Sequence, residues 1–191
     1  MNSRRLLAYA GYHLGIARYL FIHIPKNAGT AMRHSPMLRG KLVGAEPAFY
    51  RSSDYLRDLK AEMQAKGEHH GIAHARLQDI SPKVRQRLQP VAVVRNPWAR
   101  VVSRYRFARF AVENGKSGAD YAADTFEAFL EERHKWGNLP FYWHRAIRGW
   151  YNQTDYVLDE SGKIAPHILR QEFLGEESQR YFNLSEPIAT R

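Results

Sequence analysis

Two short apolar runs mark the places where the chain passes through a protein core. Residues 19–24, Tyr-Leu-Phe-Ile-His-Ile, are almost continuously apolar and end at Pro25. Residues 91–94, Val-Ala-Val-Val, form a second run that follows Pro90 and is closed by Asn96-Pro97. Continuous apolar runs of this length are typical of strands that are buried on both faces of a parallel sheet. We therefore predict two buried strands, at residues 19–24 and 91–94.

Apolar residues at helical spacing predict helices between and around these strands. The predicted helices cover residues 3–18, 54–66, 82–89, 97–113 and 124–133. The expected N-terminal caps of the second, third and fifth of these helices are Asp54, Ser81 and Asp124. The longest predicted helix has apolar residues at the spacing of a core-facing stripe: Trp98, Val101, Val102, Tyr105 and Ala108. Alternating strands and helices indicate an α/β protein, with a parallel sheet flanked by helices. Residues 156–168 fit either a hairpin or a loop.

Composition excludes several chemistries and adds a strong positive charge. The 191 residues include no Cys, and 29 Lys and Arg against 19 Asp and Glu give a formal net charge of +10. The length favours one domain, covering residues 1–191. Without Cys there are no disulfides, Cys nucleophiles or thiolate metal sites, and because no His pair stands with a carboxylate at ligand spacing, we predict no catalytic metal. The charge favours an anionic partner: nucleic acid, acidic glycan, phosphorylated cofactor or anionic membrane surface.

The N-terminal residues resemble a secretion signal only superficially. Arg4 and Arg5 precede an apolar run, but Arg18 interrupts it and no small-residue cleavage site follows. The next apolar run is too short to span a bilayer. We therefore expect a soluble cytoplasmic protein without a transmembrane segment, in which the first helix packs on the domain. An amphipathic helix that lies on a membrane surface is the alternative.

The loop after the first strand contains the groups of an anion-binding site. Its residues are Pro25, Lys26, Asn27, Ala28, Gly29 and Thr30, at the point where a buried strand passes into a helix. Such a junction offers successive backbone N–H groups, here with a lysine charge and a threonine hydroxyl. It is not a Walker A loop, because there the Lys follows the Gly. Taken alone, the segment fits an ordinary strand-to-helix turn equally well.

A second set of polar residues follows the other predicted strand. Arg95 leaves its carboxyl end, where open α/β sheets bind ligands, and a guanidinium can hold a phosphate through two hydrogen bonds. Ser103 lies about 9 Å along the following helix from Pro97, so it reaches the same phosphate only if that helix runs past the ligand. Arg100, Arg104 and Arg106 also fit a solvated helix face, which we prefer for Arg104 and Arg106.

Together, the two segments resemble the cofactor motifs of the sulfotransferases, in the branch with carbohydrate and heparan sulfate 2-O-sulfotransferases and their bacterial relatives. The matching residues are His-Ile-Pro-Lys-Asn-Ala-Gly-Thr at 23–30 and Val-Arg-Asn-Pro-Trp-Ala-Arg-Val-Val-Ser at 94–103, with shorter matches at 126–130, 153–156 and 170–174. The resemblance implies a P-loop-like fold and the donor 3′-phosphoadenosine 5′-phosphosulfate. The resemblance implies that residues 25–30 bind the 5′-phosphosulfate and that Arg95 and Ser103 bind the 3′-phosphate. Lys26 would neutralise charge on the leaving oxygen.

The resemblance also implies a catalytic histidine upstream of the second strand, because an alcohol acceptor needs a base to take its proton. His74 is the first candidate, since it stands beside the matching Ala75-Arg76, and His70 is the second. Bacterial relatives commonly have His-Ala-Thr-Ala-Arg here, which would align Ile72 with the family histidine. We interpret His23, within the first strand, as structural.

The leading hypothesis is an enzyme that transfers a sulfuryl group to a hydroxyl, with a carbohydrate as the acceptor we expect. An anionic sugar is one option, because the net charge would attract it. Four aromatic residues fit either a sugar-stacking wall or a core: Tyr142, Trp143, Trp150 and Tyr151. Relatives usually continue into a Tyr-rich C-terminal region, so a chain that ends at Arg191 is either a compact version of the domain or a C-terminally short one.

Two other classes of protein share some of these features. A nucleotide-dependent kinase would have a similar fold and anion loop, but the sequence lacks its Gly-Lys-Ser/Thr. A nonenzymatic nucleic-acid-binding protein would account for the charge and for Arg104, Arg106 and Arg109, but would leave the paired motifs unexplained. We therefore expect no nucleic-acid partner.

Overall fold

A parallel sheet forms the centre of the computed structural model, which describes residues 3–65, 72–116, 121–136, 138–144 and 150–189. Its strands have the order β2-β1-β3-β4, where β1 is Tyr19–Ile22, β2 is Leu42–Gly44, β3 is Gln89–Val94 and β4 is His167–Arg170. The two predicted strands are the central ones. The two edge strands, β2 and β4, were not predicted from the sequence.

The register of the sheet brings the ends of β1 and β3 side by side. Tyr19 pairs with Gln89 and Ile22 with Ala92, and both strands run in the same direction. β1 stops at Ile22, earlier than predicted, because the chain turns there and the Ile24 N–H donates to the Ile22 carbonyl at 3.1 Å. His23 and Ile24 therefore already belong to the loop, which starts next to the end of β3.

The predicted helices are present in the predicted order, most of them with shifted ends, and the described residues form three further helices that were not predicted. They are α1 Ser3–His13, α2 Gly29–His34, α3 Ser53–Ala65, α4 Pro82–Arg87, α5 Pro97–Glu113, α6 Phe126–Glu131, α7 Arg133–Trp136, α8 Gln153–Val157 and α9 Leu174–Phe182. The bounds predicted for α5 are confirmed. α1 ends before the predicted Arg18, and α4 ends at Arg87 because Gln89 already pairs in β3.

Two predicted caps are wrong by one or two residues. At α3, the hydroxyl of Ser52 accepts the Tyr55 N–H at 3.1 Å, so Asp54 lies within the helix. At α6, the hydroxyl of Thr125 accepts the Ala128 N–H at 3.1 Å, and Asp124 precedes the cap. In both places a hydroxyl residue one or two positions before or after the predicted carboxylate supplies the capping oxygen.

Helices cover both faces of the sheet. Leu20, Ile22 and Ala92 face one side, where α3 and α8 contribute to the same buried cluster. Phe21, Val91 and Val93 face the other side, with residues of α2 and α9. Alternate residues of each central strand are thus buried on opposite faces, which explains why these strands are apolar without a break. The predicted α/β class is confirmed.

The core-facing side of α5 differs from the prediction. Its buried residues are Arg100, Arg104, Ala108 and Ala111, whereas Trp98 is 80% exposed. Arg104 was expected to be solvated; instead its guanidinium lies 4.7 Å from the Tyr121 ring centre and 5.9 Å from that of Phe129. Aromatic rings offer a buried guanidinium a favourable cation–π environment. Arg106 is exposed, as predicted.

The aromatic region before α8 belongs mainly to the core. Tyr142 is buried, and Trp143, Trp150 and Tyr151 are partly buried. Trp150 packs on Phe129 at 4.8 Å between ring centres, and Tyr151 packs on Tyr156 at 5.3 Å. Because these rings contact other side chains of the domain, the core interpretation fits them better than a sugar-stacking wall.

The segment after α8 forms a small hairpin-like turn, one of the two options left open by the sequence. Leu158 and Ile164 make an isolated antiparallel bridge. Between them, the Asp159 carboxylate accepts the N–H groups of Ser161 and Lys163 at 2.8 and 3.0 Å.

In the described part of the chain, no helix has the length and apolar character needed to cross a membrane.

Candidate active site

A cleft of about 840 Å³ opens where β1 and β3 end. This volume lies within the range of small-molecule sites. The lining includes the loop after β1, parts of α2 and α5, and residues 186–189 after α9. Eight of the residues predicted to bind or react line this one cleft: Pro25, Lys26, Ala28, Gly29, Thr30, His74, Arg95 and Ser103.

The loop after β1 has an unusual backbone that two arginines hold in place. Lys26 and Ala28 have φ angles of 68° and 53°, in the left-handed region that non-glycine residues rarely adopt. The Pro25 carbonyl accepts from Arg100 Nε at 3.0 Å, and the Lys26 carbonyl from Arg95 Nη1 at 3.3 Å. Left-handed residues in such loops let successive N–H groups converge on an anion. The guanidinium contacts to the carbonyls stabilise that conformation.

Asn27 has a different place from the one predicted for it. Its side chain is fully buried, and Nδ2 donates to the Val93 carbonyl at 2.9 Å and to Gln153 Oε1 at 2.6 Å. The Asn27 side chain therefore anchors the loop to β3, and Asn27 is not among the residues that line the cleft.

Gln153 joins the two predicted anion-binding segments, and the sequence reasoning missed it. Its Oε1 also accepts the Arg95 N–H at 2.9 Å, and its Nε2 donates to the Arg95 carbonyl at 2.8 Å. One side-chain amide thus fixes the backbone of Arg95 and the side chain of Asn27. The available signal was the short match at residues 153–156.

Arg100 is the second residue whose part in the site was missed. It is 4% exposed, and besides Pro25 it holds the Tyr151 carbonyl, to which Nη1 donates at 2.8 Å. A buried charge with these hydrogen bonds stabilises the loop, whereas removal of the guanidinium would leave two carbonyls without this donor. The sequence had left Arg100 open between the site and the solvent.

His74 is oriented by a backbone carbonyl. Its Nδ1 lies 3.0 Å from the oxygen of His23, and the residue is 9% exposed. A carbonyl oxygen can only accept, so Nδ1 carries the proton and Nε2 is the nitrogen able to receive one. The rings of His74 and His23 also pack together, with centres 4.2 Å apart.

The ring of His23 explains why residue 29 is glycine. A Cβ atom on Gly29 would lie only 1.8 Å from His23 Nε2. The imidazole therefore packs directly on the first residue of α2, and any side chain there would displace it. His23 itself lies after the strand, is half-buried and lines the cleft, whereas it was predicted to lie within the strand; through its carbonyl it also orients His74.

Helix α5 runs along the wall of the cleft. Ser103 and Phe107, four residues apart on the same side of the helix, both line it. Lys26 Nζ lies 4.1 Å from the centre of the Phe107 ring. The helix therefore runs past the cleft, so that Ser103 would reach a phosphate bound there.

Other candidate groups contribute less to the site. His70 lies outside the described residues. Burial raises the pKa of Tyr142 and of Tyr151, so neither phenol is a base near neutral pH. In the described ranges, no group of three or more His, Asp or Glu residues could hold a metal ion.

A family model described as a sulfotransferase domain matches residues 35–160. The chain belongs to the sulfotransferase family. The matched span contains His74, Arg95, Ser103 and Gln153, and it begins after the loop at residues 25–30. Neither the curated proteins nor the solved structures include a significant match.

Membership of the family establishes the class of reaction. A sulfotransferase moves a sulfuryl group from a sulfate donor to an acceptor, so this protein is a transferase. Members of the family generally use 3′-phosphoadenosine 5′-phosphosulfate as donor and a hydroxyl as acceptor. The α/β architecture of this sulfotransferase, with helices on both faces of a parallel sheet, agrees with the family's P-loop-like fold.

Proposed function

We propose that this sulfotransferase transfers the sulfuryl group of 3′-phosphoadenosine 5′-phosphosulfate to a hydroxyl of a carbohydrate, with residues 1–191 acting as one domain of the carbohydrate and heparan sulfate 2-O branch. The observation that carries the proposal is one cleft lined by five residues of the loop, by Arg95, by Ser103 and by His74; the loop residues are Pro25, Lys26, Ala28, Gly29 and Thr30. These residues come from separate parts of the chain, and each has the chemistry that one step of the transfer requires.

The donor binds through two anionic groups in this proposal. The loop at residues 25–30 receives the 5′-phosphosulfate with its N–H groups, the Thr30 hydroxyl and the Lys26 charge. Arg95 and Ser103 receive the 3′-phosphate. Arg95 uses one nitrogen on the Lys26 carbonyl, and a guanidinium has further N–H donors for a phosphate. No metal takes part in this binding.

The transfer itself needs a base and a cation. His74 Nε2 takes the proton of the acceptor hydroxyl as the acceptor oxygen bonds to sulfur. The bond between sulfur and the bridging oxygen of the donor breaks, and the negative charge goes to the 5′-phosphate of the departing adenosine 3′,5′-bisphosphate. Lys26 neutralises that charge, a kind of electrostatic stabilisation that is often the largest single contribution to catalysis.

The charge of the cleft supports an anionic sugar as acceptor. Lys26, Arg95 and three histidines line it, and Glu186 is the one carboxylate residue among the described lining residues. Two fixed cations against one carboxylate, in a protein whose net charge is +10 with the histidines counted as neutral, raise the local concentration of anionic substrates. A neutral hydroxyl acceptor would lack this advantage.

Adenosine 3′,5′-bisphosphate is expected to stabilise the protein without Mg²⁺, because both of its phosphates find cationic partners in the cleft. At a hundredfold excess over its Kd, the free energy of unfolding should rise by about 2.7 kcal/mol. Thermal unfolding with this nucleotide, with Mg-ATP and with an oligonucleotide checks it. Stabilisation by Mg-ATP alone would indicate a kinase, and stabilisation by the oligonucleotide alone, steeply weakened by salt, a nucleic-acid-binding protein.

Arg95→Ala is expected to weaken adenosine 3′,5′-bisphosphate much more than adenosine 5′-phosphosulfate, which lacks the 3′-phosphate. Loss of a charge-assisted hydrogen bond costs about 1.5–3 kcal/mol, or roughly ten- to a hundredfold in Kd. Because Arg95 also holds the Lys26 carbonyl, some loss common to both nucleotides is expected, and the ratio of the two losses is the result that counts.

Titration calorimetry with both nucleotides measures this ratio for Arg95→Ala. Arg106→Ala is the matched control, because Arg106 is exposed and is not among the residues that line the cleft. Equal losses of affinity for the two nucleotides would mean that Arg95 only stabilises the loop and does not bind the 3′-phosphate.

A further inference from the structure

Helix α1 has two apolar sides, and the domain covers only one of them. On the inner side, Gly11 approaches the backbone so closely that a Cβ would lie 2.9 Å from the Gly40 oxygen, and Tyr12 packs on Phe49 at 4.9 Å between ring centres. On the outer side, Leu6 is 50% exposed and Leu14, whose N–H continues the helical bonding to the Ala10 carbonyl, is 73% exposed.

These exposed residues form one continuous stripe. Leu6, Ala10 and Leu14 recur every four residues and therefore lie above one another, with Leu7 next to them on the following turn. Ile16, 53% exposed, extends the stripe beyond the end of the helix. Single exposed apolar residues are ordinary on protein surfaces, whereas a contiguous aliphatic stripe marks an interaction surface.

Cations border this stripe. The exposed residues Arg39 and Lys41 flank Gly40, which lies beside Ile16, and Arg87 Nη2 donates to the His13 carbonyl at 3.5 Å. A smaller cavity of about 230 Å³ is lined by Leu7 and Arg39, and also by Arg33 and Glu46, which form an ion pair at 3.8 Å. Residues 1–45 contain seven Lys and Arg and not one Asp or Glu. All 19 acidic residues therefore follow this part of the chain.

We propose that the stripe formed by Leu6, Leu7, Leu14 and Ile16, with its border of Arg39, Lys41 and Arg87, docks on the surface of an anionic lipid bilayer. An apolar helix side with flanking cations is the composition of helices that lie in the interface of a membrane. The apolar side chains enter the headgroup boundary while the cations pair with lipid phosphates. The proposal does not depend on which acceptor the cleft takes.

The charge of the border also separates the bilayer from a second copy of the chain. A two-fold dimer through this face would bring Arg39, Lys41 and Arg87 close to the same residues of the other protomer. Like charges at short distance repel, and the described part of this face provides no exposed carboxylate to compensate. A bilayer of anionic lipid matches both features of the face, because its apolar interior accepts the stripe and its phosphates pair with the cations.

Co-sedimentation of the protein with vesicles tests the proposal. Vesicles of equal parts phosphatidylcholine and phosphatidylglycerol should bind at low salt at least about tenfold more tightly than phosphatidylcholine alone, because each basic residue near the surface contributes roughly fivefold. Leu6→Gln/Leu14→Gln should lower this binding about tenfold or more. The matched control is Ile164→Gln/Phe173→Gln, which removes two residues 58% and 50% exposed elsewhere and should bind like the parent protein.

A second pair of variants separates the local charge from the net charge. Arg39→Gln/Lys41→Gln should lower binding to the anionic vesicles by about tenfold or more, whereas Lys60→Gln/Lys83→Gln, which removes the same charge from α3 and α4, should change it little. All substituted side chains are exposed, and unchanged thermal midpoints confirm that each variant is folded.

Three results would overturn the proposal. The first is the absence of binding to anionic vesicles at low salt, and the second is an equal loss in the variants and their controls. The third is a dimer in analytical ultracentrifugation that Leu6→Gln/Leu14→Gln dissociates, since a second copy would then cover the stripe.

Discussion

Replacement of Lys26 by methionine is expected to lower kcat by about 10²- to 10³-fold while the Kd of the donor changes much less. The ammonium of Lys26 acts on charge that develops on the leaving oxygen only as the bond to sulfur breaks. An interaction made mainly in the transition state affects turnover and leaves ground-state binding nearly intact. Removal of a single group of this kind in other enzymes costs about 10² to 10³ in rate.

The structure offers a close control for this substitution. Lys26 Nζ lies 4.1 Å from the Phe107 ring centre, and Lys116 Nζ, which follows the end of α5, lies 4.7 Å from the ring centre of Phe110 in the same helix as Phe107. Lys116→Met thus removes a comparable cation–π contact outside the cleft and should leave kcat unchanged. Methionine keeps the length of the side chain and retains a Cβ at position 26, where φ is 68°, so the backbone preference stays similar.

Single-turnover and steady-state rates at saturating donor, together with calorimetry of the donor in the absence of acceptor, check the result. If Lys26→Met weakened the nucleotide by as much as it lowered kcat/KM, with kcat intact, Lys26 would be a binding residue. Lys26→Arg, which retains a charge with different geometry, should recover part of the lost rate.

The central strands were predictable from sequence because they are covered on both faces. β1 and β3 lie in the middle of the order β2-β1-β3-β4, and their residues are buried on both sides of the sheet. The edge strands have no such signal. β2 has three residues, and β4 reads His-Ile-Leu-Arg, with its first and last residues exposed. A strand that is short and half-solvated leaves no continuous apolar run.

Helix α5 shows where helical periodicity alone is ambiguous. The predicted set, residues 98, 101, 102, 105 and 108, and the buried set, residues 100, 104, 108 and 111, share residue 108, and both follow the spacing of one helix face. Hydrophobicity favoured the first set, yet Arg100 and Arg104 are buried. Their partners, the Pro25 and Tyr151 carbonyls for Arg100 and aromatic rings for Arg104, come from distant parts of the chain. A single sequence contains no sign of such long-range compensation.

Some features of the candidate site could likewise be predicted from the sequence, and others could not. The strand ends that carry the loop and Arg95 could be inferred, because parallel strands place their carboxyl ends along one edge. The amide of Gln153 could not, since its hydrogen bonds join residues 58 and 126 positions apart. Asn27, a polar residue in a polar motif, gave no indication that its side chain would be buried under the loop.

His74→Ala is expected to lower the transfer rate by about 10²- to 10⁴-fold at saturating donor, with the Kd of adenosine 3′,5′-bisphosphate unchanged. The His23 carbonyl fixes the proton on His74 Nδ1, so Nε2 is the ring nitrogen that takes the acceptor proton in this proposal. A protonated base cannot act, so the rate of the parent enzyme should rise with pH as the base loses its proton. That acidic limb should disappear in His74→Ala.

His34→Ala and His70→Ala complete the test of His74. His34 also lines the cleft, so its loss controls for the removal of an imidazole from the same cavity, and we expect the rate to fall less than tenfold, since no proton transfer is assigned to it. His70→Ala decides between the two histidines of the upstream segment. If the His70→Ala enzyme were inactive and the His74→Ala enzyme active, His70 would be the base. In that case the contact between His74 Nδ1 and the His23 carbonyl would serve to pack the two rings above Gly29, and the acidic limb would persist in His74→Ala.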